Sequence, residues 1–166
     1  MHGATVVRVS HPGEHAGAEA DAAVTTTAGC RLAVRTADCV PIVLTGRSTV
    51  GVIHAGWRGL AAGVVEAAVA AMDGDVTAAH VGPHIRPGCY EFGERDLDEV
   101  ARVLGDPVRS TTAWGTPGLD LATAVRRALG SIPVVDAGAC TACSDLYFSW
   151  RARGEHERFA TIAWLA

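Results

Sequence analysis

Two stretches decide the fold: Thr36-Ala37-Asp38-Cys39-Val40-Pro41-Ile42-Val43-Leu44, and Thr49-Val50-Gly51-Val52-Ile53-His54-Ala55-Gly56-Trp57-Arg58-Gly59. Val40 to Leu44 and Thr49 to Ile53 are apolar and β-branched, which reads as two buried strands joined as a hairpin-like unit. Cys39 stands at the start of one strand. His54 stands at the end of the other, where glycines break the pattern. Side chains at strand ends are rigidly held and still reach solvent, so a Cys and a His delivered this way can share one Zn²⁺ or form a thiolate–imidazole pair. A lone Cys is most often a small buried hydrophobe, and a lone His a hydrogen-bonded core or surface residue. Asp38 beside Cys39, and Trp57 and Arg58 beside His54, put charge where a strand should be closing a core, and buried charge without a task is rare.

Outward from this unit, Thr5 to Val9 reads as a strand, followed by a polar loop from Ser10 to Glu19, and Arg31 to Val34 as another strand. The Gly-rich exit from His54 leads into an Ala-rich helix from about Leu60 to Met72. That puts the His54 segment at a helix N-terminus, where backbone N–H groups favour an anion such as phosphate. Val76 to Val81 is strand-like and stops at Gly82-Pro83, with His84 just beyond. The periodicity predicts a helix over Arg95 to Leu104, and another that starts at an Asp120 cap and ends at Leu129 before Gly130. Ile132 to Val135, Leu146 to Trp150 and Phe159 to Leu165 read as strands. Hairpins mixed with helices predict an α+β architecture of mixed sheets with helices packed outside, rather than a doubly wound parallel sheet.

The 166 residues fit one domain over 1–166, and 49% hydrophobic content is that of a globular protein. The apolar run from Leu60 to Met72 is broken by Gly63 and Glu66 and is too short to span a bilayer. No signal-peptide pattern opens the chain, and the five cysteines are an odd number, so a cytoplasmic protein with reduced thiols is expected. A net charge of −4 disfavours nucleic acid as a partner. All 14 cationic residues are arginines. Without lysine there is no Schiff base, no pyridoxal phosphate attachment and no Walker A lysine. Without Asn or Gln there is no Cys-His-Asn triad, so an anion must be held by Arg, backbone amides or metal.

The combination of motifs resembles the YfiH-like family, also called laccase-domain or multicopper polyphenol oxidoreductase proteins. The matching segments are His2-Gly3, Ala37-Asp38-Cys39-Val40-Pro41, His54-Ala55-Gly56-Trp57-Arg58-Gly59, Gly82-Pro83-His84-Ile85 with Tyr90-Glu91, and Cys140-Thr141 with Phe148-Ser149-Trp150-Arg151. Members usually carry a further N-terminal segment ending in Gln-Val-His-Gly, whereas this chain opens at Met1-His2-Gly3. Glu155-His156-Glu157-Arg158 replaces the family's Thr-Gly-Arg, and His84 stands where a small residue is usual.

The resemblance implies a layered α/β/β/α sandwich akin to cysteine hydrolases, with zinc held by His2, Cys39 and His54. It also implies phosphorolysis of adenosine, inosine or methylthioadenosine, together with hydrolytic deamination of adenosine. Arg58 and Arg151 are the arginines assigned to phosphate, with His84 as an added ligand or acid/base group. Asp38 or Glu91 would serve as proton donor alongside Cys39 and His54. The small-molecule partners are thus a nucleoside and phosphate. A rival reading is a metal-free cysteine hydrolase acting on a peptidoglycan precursor, with Cys39 as thiolate and His54 as base. Copper chemistry fits less well, because multicopper sites consume many histidines, typically in His-x-His pairs, and the seven here form no such pair. Cys140 and Cys143 form a lone C-x-x-C, which more readily reads as two unrelated thiols than as a redox or zinc half-site.

Overall fold

The computed structural model describes residues 3–166. Ten strands form: β1 (Val6–Arg8), β2 (Ala22–Thr25), β3 (Leu32–Thr36), β4 (Val40–Thr45), β5 (Val50–Ala55), β6 (Ala78–Val81), β7 (Arg109–Thr111), β8 (Pro117–Leu119), β9 (Val134–Asp136) and β10 (Phe159–Ala163). The helices are α1 (Trp57–Ala61), α2 (Val64–Ala71), α3 (Glu94–Leu104), α4 (Leu121–Leu129) and α5 (Trp150–Arg153). A six-stranded mixed sheet has the order β1-β2-β5-β4-β6-β9, parallel at its two outer pairs and antiparallel within. β10 pairs antiparallel with β3 in a second sheet, and β7 and β8 form a separate antiparallel pair.

Alternation along the central strands explains the layering. Val40, Ile42 and Leu44 of β4, with Ile53 and Ala55 of β5, pack against buried residues of α1 to α4, among them Leu60, Val65, Val100 and Val125. The opposite face presents Val43, Val50 and Val52 to Leu32 and Val34 of β3 and Ala163 of β10. Helices, large sheet and small sheet are therefore stacked layers, and the fold is α+β with mixed sheets, as the sequence predicts. Among the described residues no helix is long and apolar enough to cross a membrane.

Three expectations need correction. The helix expected from Leu60 to Met72 is two: α1 starts at Trp57, and Gly63 breaks the run with φ +83°, a conformation that costs a glycine little. Ala22–Thr25 forms a strand that its alanines did not announce; its ladder with β1 and β5 supplies what propensity does not. Leu146 to Trp150 is not a strand. Leu146 is 86% exposed, and the segment turns into α5 because the Ser149 side chain accepts the Ala152 N–H as an N-cap.

Candidate functional site

The β4–β5 register fixes the centre of the site. Pro41 is paired with His54 across the ladder. Residues opposite one another in an antiparallel pair project from the same face. Cys39 precedes β4 by one position, in the bend that leads into the strand, and is partly exposed. His54 is part of β5 rather than beyond it, and is partly exposed. His2 lies outside the described residues. Its neighbour Gly3 lies close to Gly59 and to Asp21: a Cβ on Gly59 would come within 2.9 Å of the Gly3 carbonyl, and one on Gly3 within 3.3 Å of Asp21 Oδ2.

Asp21, which carried no signal in the sequence, backs His54. The His54 amide donates to the Asp21 carbonyl at 2.8 Å, and His54 Nδ1 is 4.0 Å from Asp21 Oδ1, an ion-pair rather than a hydrogen-bond distance. Asp21 is almost fully buried, and this Oδ1 has no hydrogen-bond partner among the described residues. A buried carboxylate held this way beside an imidazole has the arrangement that orients a histidine ligand. Both residues line a cavity of about 640 Å³ that also takes in His15, Arg31 and Arg35.

Burial pushes the Cys39 thiol up to about 11; the neighbouring Asp38 adds to this, and Arg158 opposes it. A thiol in that environment stays protonated near neutral pH unless a metal displaces its proton.

On the other side of Cys39 an aromatic chain carries the two arginines. Trp57 and Phe92 meet edge-to-face at 5.5 Å, and Phe92 and Tyr90 at 5.4 Å. Arg58 stacks over Trp57 at 4.2 Å and Arg151 over Tyr90 at 4.8 Å. Both arginines are exposed. Stacking holds the planes of their guanidinium groups while leaving the N–H edges available to an oxyanion. Tyr90 is buried, which pushes its phenol up to about 12 against the pull of Arg151, and it also feels Cys39, Asp38 and Arg58. Tyr90 is therefore the hydroxyl around which these groups converge.

The structure gives the remaining expected residues other work. Asp38 has φ +81° and is buried. Its carboxylate accepts the Thr141 and Ser149 hydroxyls and the Arg151 backbone N–H, each at 2.7 Å. With three donors on two oxygens, it anchors the 141–151 segment. The Glu91 carboxylate accepts from Trp114 Nε1 at 2.9 Å, while the Glu91 backbone carbonyl accepts from Arg151 Nη1 at 2.8 Å. His84 is fully buried, with Nδ1 2.9 Å from the Gly82 carbonyl, and burial lowers its pKa.

The chain matches the model of the family described as multi-copper polyphenol oxidoreductase laccase over residues 1–166, and it belongs to that family. A Streptomyces griseus protein named purine nucleoside phosphorylase is 40% identical over 99% of this chain and 72% of its own length. The crystal structure of the Neisseria meningitidis protein NMB0706 superposes with a TM-score of 0.87 at 31% identity, covering 99% of this chain and 72% of that one. The YlmD structure from Geobacillus stearothermophilus gives 0.84 at 30% identity, over 100% of this chain and 72% of its own.

Proposed function

We propose that this protein is a purine nucleoside phosphorylase that holds zinc on His2, Cys39 and His54 and phosphate on Arg58 and Arg151. The same site would serve methylthioadenosine phosphorolysis and adenosine deamination. The names of the curated relatives support the nucleoside class, and the observation that carries the phosphate half is the pair of exposed guanidinium groups stacked on the Trp57–Phe92–Tyr90 chain. One thiolate and two imidazoles suit Zn²⁺ and leave a fourth position open. The buried Asp21 oxygen beside His54 is the kind of partner such a ligand set requires.

When bound, the metal supplies Lewis acidity and a water acidified to a pKa near ~7. The protein's own groups do the rest. Arg58 and Arg151 neutralise phosphate as it approaches the anomeric carbon, and the charge-assisted bonds fix its orientation. The Asp21 carboxylate, 4.0 Å from His54 Nδ1, would favour the imidazole that binds the metal. Tyr90 presents a neutral O–H to the polar groups of the substrate.

The metal-free hydrolase reading is disfavoured because burial and the neighbouring Asp38 push the Cys39 thiol up, away from the thiolate such a nucleophile needs. Copper oxidation is disfavoured because the seven histidines form no His-x-His pair of the kind multicopper sites use.

Arg58→Ala tests the phosphate assignment cleanly, because the Arg58 side chain is exposed and stacks on the face of Trp57. The KM for phosphate should rise about tenfold or more, while that for inosine changes less than about twofold. An equal loss in phosphate-independent deamination would remove Arg58 from the phosphate site. Asp21→Asn should weaken zinc binding by about 10–100-fold in competition with a chromophoric chelator. Unchanged affinity would reduce Asp21 to a structural residue.

A further inference from the structure

The lone C-x-x-C of the sequence acquires a third thiol in the fold. Cys89 closes a 3-10 turn, Pro87–Cys89, and its Sγ lies 2.6 Å from that of Cys143. The sulfurs of Cys89, Cys140 and Cys143 all fall within 4.8 Å of one another. Four metal–sulfur bonds of about 2.3 Å in a tetrahedron separate sulfurs by about 3.8 Å; the three sulfurs are close enough for one thiophilic ion to reach, and the Cys89–Cys143 pair opens by about 1 Å from its 2.6 Å contact to take it.

One of the three sulfurs already has a backbone donor: the Arg86 N–H donates to Cys140 Sγ at 3.4 Å. Amides aimed at a sulfur are the outer partners that tune thiolate metal sites. The backbone around Cys140 is fixed independently of its side chain: Cys140 bridges His84, the Thr141 N–H donates to the His84 carbonyl, and the His84 N–H donates to the Ala139 carbonyl. Cys143 is exposed and the other two are partly exposed, which leaves an approach for the ion and room for water as a fourth ligand.

We infer that Cys89, Cys140 and Cys143 form a second metal site, taking a zinc-class ion on three thiolates, separate from the Cys39–His54 centre. Binding displaces the thiol protons to solvent and involves no change of oxidation state. Its consequence follows from the neighbours of the ligands. Cys89 precedes Tyr90, and Cys140 precedes Thr141, whose hydroxyl holds Asp38. An ion at this site clamps the 87–89 turn to the 140–143 loop and so braces two walls of the candidate active site.

Cd²⁺ titration of the reduced protein in the Cys39→Ser background reads this site alone through thiolate-to-metal charge-transfer absorption. Saturation at about one equivalent, with intensity for three thiolates, is expected. Cys143→Ser should lower the affinity about a hundredfold or more, while Cys30→Ser, which removes a buried thiol of the small-sheet core, should leave it unchanged. If the Cys39→Ser chain does not fold, zinc content in the intact chain serves instead: about two ions per chain, falling to about one in Cys143→Ser. A charge-transfer band insensitive to Cys143→Ser, no band at all, or zinc content unaltered by Cys143→Ser would overturn the site. So would a Cys89–Cys143 disulfide that persists after reduction.

Discussion

Replacing Asp38 by alanine should lower the melting temperature by roughly 6–12 °C, among the largest stability losses available from one substitution. Three groups lose their acceptor at once: the Thr141 and Ser149 hydroxyls, both fully buried, and the Arg151 amide. A buried donor left unsatisfied costs about 1–3 kcal/mol, so the total is on the order of 3 kcal/mol or more. For a chain of this length each kcal/mol moves the midpoint by about 2–4 °C. Alanine also inherits φ +81°, which Asp tolerates better because its short polar side chain bonds locally. Asp38→Asn separates the two contributions. It keeps the backbone preference but offers one acceptor oxygen in place of two, and should recover only part of the loss. A midpoint shift below about 2 °C for Asp38→Ala would show that the 141–151 segment is held by something else.

Cys39→Ser should have the largest effect on activity. It replaces the soft ligand with a hydroxyl that does not ionise near neutral pH, and the imidazoles alone make a weaker site. Nucleoside phosphorolysis should fall by at least about a hundredfold and zinc should be lost on dialysis, while the fold survives because Cys39 sits at the margin of the core. Alkylation offers a second view. The intact metal-loaded protein should resist thiol reagents at Cys39, and chelator treatment should expose it only slowly, since burial also keeps the thiol protonated. Full activity in Cys39→Ser would dismiss the metal centre.

The part of this architecture legible in the sequence is the part that periodicity controls. The β4–β5 hairpin reads directly because Val40–Leu44 and Val50–Ile53 are β-branched runs that must be buried. The capped helix from Asp120 is equally plain: the Asp120 side chain accepts the Thr123 N–H. What the sequence hides depends on contacts between distant residues. Asp38 reads as a proton donor beside a cysteine until Thr141 and Ser149, more than a hundred positions away, are seen to occupy its oxygens. Asp21 sits just before a short Ala-rich strand with no periodic signal, so its approach to His54 emerges only from the β2–β5 pairing. The aromatic run around Leu146 to Trp150 has strand composition, yet the Ser149 cap and the Asp38 bonds turn it into a helix start. Cys89 could not be joined to Cys140 and Cys143 by spacing, since a parallel bridge between His84 and Cys140 is what brings the two segments together.

The central claim, phosphate-dependent cleavage of a purine nucleoside at the Cys39–His54 centre, is tested most directly by a product assay on the purified chain. With inosine and phosphate, the protein should release hypoxanthine and ribose 1-phosphate in equal amounts, and without phosphate it should release neither. Hypoxanthine formed at the same rate with and without phosphate, or no cleavage by metal-loaded protein, would contradict the account.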